Sequence, residues 1–184
     1  MPKWLIDEDM SRCTEAEVAR LLPLVSEQRR QQALRYKHVF GQYCCLRSWM
    51  MLSELMKGVG MQQAWQYNEH GKPFWPDGPF FSISHCKEAI AVAVDERPIG
   101  IDIEHIHRLD PELIQRTMNI QEQEQIHDAR DFTRLWTQKE AVVKAQGVGI
   151  FSFEQLQQVL ANPDFSVQTV EKEKYIFSIA QLRN

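Results

Sequence analysis

The order in which helical and extended patterns follow one another restricts the fold of this chain more than any other feature. A helical pattern opens at Ser26, after a capping-box sequence at Thr14, and continues until Gly58 and Gly60 end it. Short extended segments bounded by turn residues follow, which predicts strands over residues 64–67, 80–84, 89–95 and 99–104. The first part of the chain therefore predicts helices packed on a small sheet.

The second part of the chain shows the same succession. One helix is predicted to begin at Pro111, and another to run over residues 128–146 until Gly147 ends it. Extended patterns over 165–170 and 175–180 then predict a closing hairpin.

Because helices are predicted to precede strands in both parts, we expect an α+β fold of two pseudo-symmetric lobes in one chain. Each lobe would have helices packed on a small antiparallel sheet. The boundary is predicted at Arg97-Pro98, which gives lobes of residues 1–97 and 98–184. No flexible linker separates them, so we expect the lobes to pack together.

Composition excludes several classes of protein. The 184 residues are 43% hydrophobic and 25% charged, and 21 Lys and Arg against 25 Asp and Glu give a formal net charge of −4. No nucleic-acid partner is expected without a basic surface, and no apolar run approaches the roughly 20 residues of a membrane span. The four cysteines lack zinc-like spacing and the N-terminus lacks a signal-peptide pattern, so we expect a cytoplasmic protein with free thiols.

Two acidic residues close the segment Pro98-Ile99-Gly100-Ile101-Asp102-Ile103-Glu104. Because side chains alternate along a strand, Asp102 and Glu104 fall on one face. Adjacent carboxylates suit Mg²⁺, which takes one or two of them and completes its shell with water and phosphate oxygens. A solvated strand end is the alternative explanation for this pair.

A second group lies in the predicted helix over 128–146. Trp136, Glu140 and Lys144 recur at i, i+4 and i+8, so an aromatic ring, an acid and a base share one stripe, with Lys139 beside it. In this arrangement the acid joins a metal while the two ammonium groups meet phosphate. The alternative is a surface Glu-to-Lys pair worth about 0.2–0.5 kcal/mol, with the tryptophan in the core.

A third group combines a turn with the end of a strand. Gly71-Lys72-Pro73 forms the turn, and Ser84-His85 lies at the strand end. Lysine supplies a point charge while serine and histidine add directed donors, which favours binding of an anion or a nucleotide. An ordinary hairpin turn beside a lone histidine would leave the same pattern.

Together these segments resemble a known family. Ile99-Gly100-Ile101-Asp102-x-Glu104, followed by Trp136-Thr137-x-Lys139-Glu140-Ala141-x-x-Lys144, is similar to the paired signature of the 4′-phosphopantetheinyl transferase superfamily. The Gly71-Lys72-Pro73 and Ser84-His85 elements resemble the additional motifs of its Sfp-type branch, whose single chain holds two pseudo-symmetric lobes. The resemblance spans residues 68–149.

The resemblance implies an enzyme that moves the phosphopantetheine group of coenzyme A to a serine of an apo acyl or peptidyl carrier protein, releasing adenosine 3′,5′-bisphosphate. It implies that Asp102, Glu104 and Glu140 hold Mg²⁺, with Mn²⁺ as a substitute, against the pyrophosphate. Glu140 is then the general base, directly or through a water on the metal, while Lys144 and Lys139 bind coenzyme A phosphates and stabilise developing charge. The residues expected to bind the nucleotide end of coenzyme A are Gly71, Lys72, Pro73, Ser84 and His85.

The sequence also departs from the family pattern. Ser82 stands where the family usually has Asn, and Cys86 where it has Ser or Thr. The arginine expected in the first-half helix falls on Gln42 or Tyr43, with Arg47 a turn onward, so phosphate contacts from that helix are not predicted.

The segment between the two signature motifs, where the family meets its carrier, is shorter than usual, so an unusual carrier preference is expected. Since carrier proteins are acidic, the candidate contacts are basic: Arg108, Arg116, Arg130 and Arg134. Two lobes in one chain make an intersubunit site unnecessary, so we expect a monomer.

Two other functions remain open on the sequence. A metal-dependent phosphohydrolase would use the same carboxylates and lysines to activate water against a phosphate ester, and would act on coenzyme A without a carrier. A non-catalytic module that binds coenzyme A or a carrier predicts a missing ligand, whereas all three acids are present.

Overall fold

The computed structural model describes residues 2–57, 65–106, 108–149 and 152–183. Gly58, Gly60 and Ala64, where the first helical region was predicted to end and a strand to begin, lie outside these ranges. The elements of the first half are β1 (Lys3–Asp7), α1 (Glu15–Leu21), α2 (Glu27–Leu34), α3 (Val39–Leu55), β2 (Gln66–Tyr67), β3 (Pro73–Phe74), β4 (Phe80–His85) and β5 (Ile90–Asp95).

The second half begins three residues after β5 ends. Its elements are β6 (Ile99–His105), α4 (Pro111–Thr117), α5 (Ile120–Gln123), α6 (Ala129–Gln146), α7 (Phe153–Gln158), β7 (Phe165–Glu171) and β8 (Tyr175–Leu182). In the portions of the chain that the structure covers, no helix combines the length and the apolar character that crossing a bilayer requires.

Both halves of the chain use one topology. In the first half, β1 and the hairpin β4–β5 form an antiparallel sheet in the order β1-β5-β4. In the second half, β6 and the hairpin β7–β8 form an antiparallel sheet in the order β6-β8-β7. Each half thus contributes a strand, then helices, then a hairpin whose second strand is central. The predicted α+β fold of helices on small antiparallel sheets is confirmed.

The predicted order of helices and strands is wrong, because β1 precedes the helices of the first half and β6 those of the second. No strand was predicted for residues 3–7 and no helix for residues 153–158. Both are short, at 5 and 6 residues. Such short segments show too little periodicity to be recognised without the partner on which they pack.

The long helix predicted from Ser26 is two helices. A break at residues 35–38 separates α2 from α3, and neither Gly nor Pro marks it in the sequence. The break lets α2 fold back on α3, where the buried Arg29 donates from Nε to the Cys45 carbonyl at 2.9 Å and from Nη2 to the Ser48 hydroxyl at 2.9 Å. The pairing of the two helices therefore decides the break.

The ends of α6 follow the sequence signals. The Asp128 side chain accepts the backbone N–H groups of Arg130 and Asp131, and Gly147 ends the helix in the left-handed conformation with φ 74°. Asp is favoured at the start because its carboxylate accepts N–H groups that have no partner within the helix. Gly is favoured at the end because it adopts the left-handed conformation without steric cost. The boundaries predicted for this helix are confirmed.

A shared apolar layer and two serines join the sheets of the two lobes. Ser82 Oγ accepts the Ile101 N–H at 3.0 Å, and Ser84 Oγ accepts the Ile103 N–H at 3.2 Å. Hydroxyls of β4 thus accept hydrogen bonds from backbone N–H groups on the edge of β6 that does not pair with β8. One buried cluster contains alternate residues of β5 and β6, namely Ala89, Ala91, Ala93, Ile99, Ile101 and Ile103.

Helix α6 lies almost against the backbone of β6. A Cβ atom on Gly100 would stand 2.0 Å from the Ala141 carbonyl oxygen and 2.5 Å from the Ala145 amide nitrogen. Only glycine leaves room for this approach. The contact fixes how far the side chains of Glu140 and Lys144 stand from the carboxylates of β6.

Candidate active site

Ser84, Asp102 and Lys144 meet where the two lobes join. Lys144 Nζ lies 2.6 Å from Asp102 Oδ1 and 3.0 Å from Ser84 Oγ, and the Ser84 hydroxyl donates to Asp102 Oδ1 at 2.9 Å. The three residues come from β4, β6 and α6, so both halves of the chain contribute. Asp102 is only 2% exposed, so its carboxylate is shielded from water, whereas the Lys144 side chain remains partly exposed.

Glu104 and Glu140 extend this group with further negative charge. Burial and then the charge of Asp102 raise the pKa of both carboxyls to about 7, against the opposing effect of Lys144. Asp102 Oδ2 is buried with no hydrogen-bond partner among the residues that the structure describes. The negative charge of Asp102 thus disfavours ionisation of both glutamates, an effect that a bound cation would oppose.

The donor set fits a hard divalent cation. All three side chains offer carboxylate oxygens, the ligands that Mg²⁺ prefers, and the unpartnered Asp102 Oδ2 is a buried acceptor in need of a donor or a cation. Within the described ranges, no three His, Cys, Asp or Glu side chains already stand close enough to coordinate a metal ion. In this geometry the Lys144 ammonium group, and not a metal ion, is the partner of Asp102 Oδ1.

The turn between β2 and β3 docks on the C-terminal end of α6. Asn68 Nδ2 donates to the Gly147 carbonyl at 2.6 Å, and Asn68 Oδ1 accepts the Lys72 N–H at 2.8 Å. Lys72 Nζ donates to the Lys144 carbonyl and, at 3.4 Å, to the Ile99 carbonyl. The bonds to the Gly147 and Lys144 carbonyls satisfy acceptors that the end of α6 leaves open. Burial lowers the pKa of Lys72 to about 8.

A cavity of about 280 Å³ opens between this turn and α6. Gly71, with φ 79°, permits the tight turn on one wall. Residues of both lobes line the cavity, and five of them are predicted site residues: Gly71, Lys72, Pro73, Glu140 and Lys144. The structure thus brings the turn motif and the helix motif to one cleft, beside Asp102.

Lys139 does not reach this cavity. Its side chain is fully buried, and Nζ lies 2.7 Å from Glu122 Oε1 and 2.8 Å from the Leu156 carbonyl oxygen. Successive residues of a helix are rotated by about 100°, so Lys139 does not share a side of α6 with Glu140 and Lys144. The expectation that Lys139 binds coenzyme A phosphate does not hold in this structure.

Ser84 and His85 lie on opposite faces of β4, because side chains alternate along a strand. The Ser84 hydroxyl is engaged by Asp102 and Lys144, whereas the His85 ring packs edge-on against Phe40 of α3 with centroids 5.6 Å apart. Partial removal from water, and then the Lys144 charge, lower the pKa of His85. The two residues therefore do not form a single binding face.

The α3 positions that depart from the family pattern make their contacts within their own lobe. Arg47 Nε lies 2.5 Å from Asp7 Oδ2, and Gln42 Nε2 donates to the Tyr36 carbonyl at 2.9 Å. Tyr43 is fully buried. Gln42 and Arg47 thus use their polar groups for contacts within the lobe.

The arginines predicted to meet a carrier differ in their surroundings. Arg108 is exposed, and the Arg116 guanidinium lies 4.2 Å from the centroid of the Phe153 ring. Arg130 and Arg134 lie 3.3 Å and 3.5 Å from Glu171 oxygens. The last two therefore tie α6 to the hairpin β7–β8.

Sequence reasoning missed the parts of Asn68, Ser82 and Gly100 in building the site. Asn68 carried a signal, because asparagine before a glycine turn commonly bonds its own backbone two residues on. Ser82 was noted only as a departure from the family, and Gly100 only as part of a motif. The role of Ser82 depends on β6, and that of Gly100 depends on α6. In each case the partner element is distant in sequence.

Comparison with known proteins agrees with these motifs. The sequence model of the 4′-phosphopantetheinyl transferase superfamily matches residues 98–181. The chain is 30% identical to the 4′-phosphopantetheinyl transferase gsp of Aneurinibacillus migulanus over 137 residues, which are 69% of this chain and 58% of that protein. It is 27% identical to the 4′-phosphopantetheinyl transferase Sfp of Bacillus subtilis strain 168 over 150 residues, 74% of this chain and 66% of that protein.

A shorter match is to a protein of a different name. Enterobactin synthase component D of Salmonella typhimurium is 39% identical over 51 residues, 28% of this chain and 22% of that protein. The chain thus matches the sequence model of the 4′-phosphopantetheinyl transferase superfamily over its second half and is similar to named transferases over a longer stretch, in agreement with its motifs. It spans less than two thirds of the length of these relatives.

Proposed function

We propose that this protein transfers the phosphopantetheine group of coenzyme A to a serine of an apo acyl or peptidyl carrier protein. The serine oxygen forms a bond to the phosphorus that carries phosphopantetheine, the pyrophosphate bridge breaks, and adenosine 3′,5′-bisphosphate leaves. The observation that carries this proposal is the charged group of Ser84, Asp102 and Lys144, which both lobes build beside the cavity. The names of the transferase relatives support it.

We assign Asp102, Glu104 and Glu140 to Mg²⁺, with Mn²⁺ as a substitute. The unpartnered Asp102 Oδ2, and the way the Asp102 charge raises the pKa of both glutamates, support this assignment. When bound, such an ion neutralises pyrophosphate oxygens and favours displacement at phosphorus.

The chain's own residues position the reactants and handle charge and protons. Lys144, on the cavity wall, stabilises negative charge on the bridging oxygen as the pyrophosphate bond breaks. Glu140, on the same wall, accepts the serine proton directly or through a water. Because these groups sit on elements packed across the joint, catalysis consists largely of orientation.

Release of adenosine 3′,5′-bisphosphate from coenzyme A, with and without an apo carrier, tests the proposal. Transfer predicts release only when carrier is present, in equal amount to the modified serine. A metal-dependent phosphohydrolase would release the nucleotide without carrier, and a binding module would release none. Either of these results would contradict the transferase proposal.

Replacing Lys72 by Ala is expected to weaken coenzyme A binding by roughly tenfold or more, the usual effect of losing a hydrogen bond to a charged group. At pH 7 the ammonium form prevails, since the pKa is about 8. We propose that on coenzyme A binding this ammonium group exchanges its backbone carbonyl partners for the 3′-phosphate, so affinity for dephospho-coenzyme A should change little. Calorimetric titration with both ligands measures the difference.

Lys87→Ala provides the matched control for that titration, because Lys87 is an exposed lysine of the same lobe outside the cavity. It should leave both affinities unchanged. Equal affinities of wild type and Lys72→Ala for coenzyme A would remove Lys72 from the binding site.

We further propose that the protein acts as a monomer in the cytoplasm, with no nucleic-acid or membrane partner. One chain supplies both walls of the cavity, all four cysteines are free thiols, and the net charge is −4. Light scattering on the purified protein tests the oligomeric state. A stable dimer would contradict it.

A further inference from the structure

Lys139 is the most completely buried charged side chain near the proposed site, and the cavity does not use it. Its three ammonium protons match three acceptors: Glu122 Oε1 at 2.7 Å, the Leu156 carbonyl at 2.8 Å and the Gln157 carbonyl at 3.5 Å. The first acceptor belongs to α5 and the other two to α7. Lys139 thus ties α6 to two other helices at one point.

The acceptors are themselves fixed in place. Glu122 Oε2 accepts the Asn119 N–H at 2.8 Å and completes a capping box at the start of α5. Asn119 Nδ2 donates to the Gln157 carbonyl at 3.1 Å, which links α5 to α7 directly. The partners of Lys139 therefore form a preformed cradle rather than a set of mobile side chains.

Helix α6 is restrained from two sides at neighbouring residues. Ala141 packs on Gly100 of β6, where no side chain fits between them. Lys139, two residues earlier, is rotated by about 200° around the helix axis and meets α5 and α7 on the other side. Glu140 lies between these two residues in sequence. A helix restrained in this way cannot roll without breaking one of the two contacts.

We propose that Lys139 is a positioning residue that sets the rotation of α6 and thereby aims Glu140 and Lys144 at the substrate. This inference rests on the transferase function proposed above. Lys139 touches neither coenzyme A nor the carrier. The hydrogen bonds of its ammonium group are directional, so three acceptors fix one orientation of the side chain. An apolar residue of equal size would fill the space without fixing that orientation.

Lys139→Met tests this role first. A misplacement of about 1 Å costs on the order of 10²-fold in rate, so kcat should fall by about that factor. KM for coenzyme A should stay within about twofold, because uniform binding is not altered. Lys174→Met, an exposed lysine of the same lobe, should change neither constant. A large rise in KM with kcat retained would show that Lys139 binds coenzyme A and would overturn the proposal.

The double variant Lys139→Met with Glu122→Gln separates positioning from stability. Lys139→Met alone leaves the Glu122 carboxylate buried and unpaired, which lowers the melting temperature. Neutralising Glu122 removes that penalty, so the melting temperature should recover most of its loss while kcat stays about 10²-fold low. Recovery of kcat together with stability would reduce Lys139 to a structural role and overturn the proposal.

Hydrogen exchange keeps the inference testable if the wild type shows no transfer at all. The absence of transfer would overturn the proposed function, whereas the restraint on α6 is measured separately by the exchange rates of its amides. In the double variant, amides over residues 139–146 should exchange at least about tenfold faster than in wild type, while those of β4 and β5 should not change. Unchanged protection over 139–146 would contradict the proposal.

Discussion

Asp102→Asn should lower the rate of transfer by about 10²–10³-fold or more while the protein remains folded. Catalytic sites commonly lose this much when one preorganised electrostatic contact is removed. Asparagine keeps the shape of the side chain and its amide oxygen still accepts from Lys144 and Ser84, so the joint between the lobes is retained. It removes the charge with which Asp102 would hold a divalent cation. Initial rates at saturating coenzyme A measure the loss.

Two further variants show whether the loss of transfer rate is specific to the proposed site. Asp164→Asn changes an exposed aspartate of the same lobe and should leave the rate unchanged. Glu140→Gln removes the proposed base and ligand and should reduce transfer as severely as Asp102→Asn. Circular dichroism confirms that each variant is folded. Transfer at nearly the wild-type rate by Asp102→Asn would refute the metal assignment.

Gly100→Ala should destabilise the protein by about 3 kcal/mol or more, at the upper end for overpacking of a core. The added methyl group would lie 2.0 Å from a carbonyl oxygen of α6, which is backbone and cannot move aside as a flexible side chain would. Either α6 separates from β6 or the lobe unfolds more readily. For a chain of this size the melting temperature should fall by roughly 6–12 °C, which thermal denaturation measures.

Ile99→Val is the comparison for that experiment. It removes one methyl group from the neighbouring, fully buried position of β6 and should cost only about 0.5–1.5 kcal/mol. The contact between α6 and β6 predicts that adding a methyl group at residue 100 lowers the stability more than removing one at residue 99. Equal melting temperatures for Gly100→Ala and wild type would contradict that contact.

Features governed by local chemistry were predicted well from the sequence. The start of α6 at Asp128 and its end at Gly147 depend on capping groups within a few residues. The strands of both hairpins follow from alternation over short segments. The structure also brings Asp102 and Lys144 into contact, and there the family resemblance supplied what spacing could not, since 42 residues separate them.

Features governed by distant contacts were not predicted. The break between α2 and α3 depends on Arg29 reaching the carbonyl of Cys45, and no turn residue announces it. The burial of Lys139 depends on Glu122 and on α7, which the sequence analysis did not identify as a helix. A lysine next to a catalytic glutamate has the same sequence pattern whether it faces substrate or core. Only the packing around α6 distinguishes the two.

The most direct test of the proposed transferase activity is the intact mass of several purified apo carrier proteins after incubation with this protein, coenzyme A and Mg²⁺. We expect that at least one carrier gains a single phosphopantetheinyl group, and that a chelator prevents the gain. No gain on any carrier, with the protein folded and coenzyme A bound or hydrolysed, would contradict it.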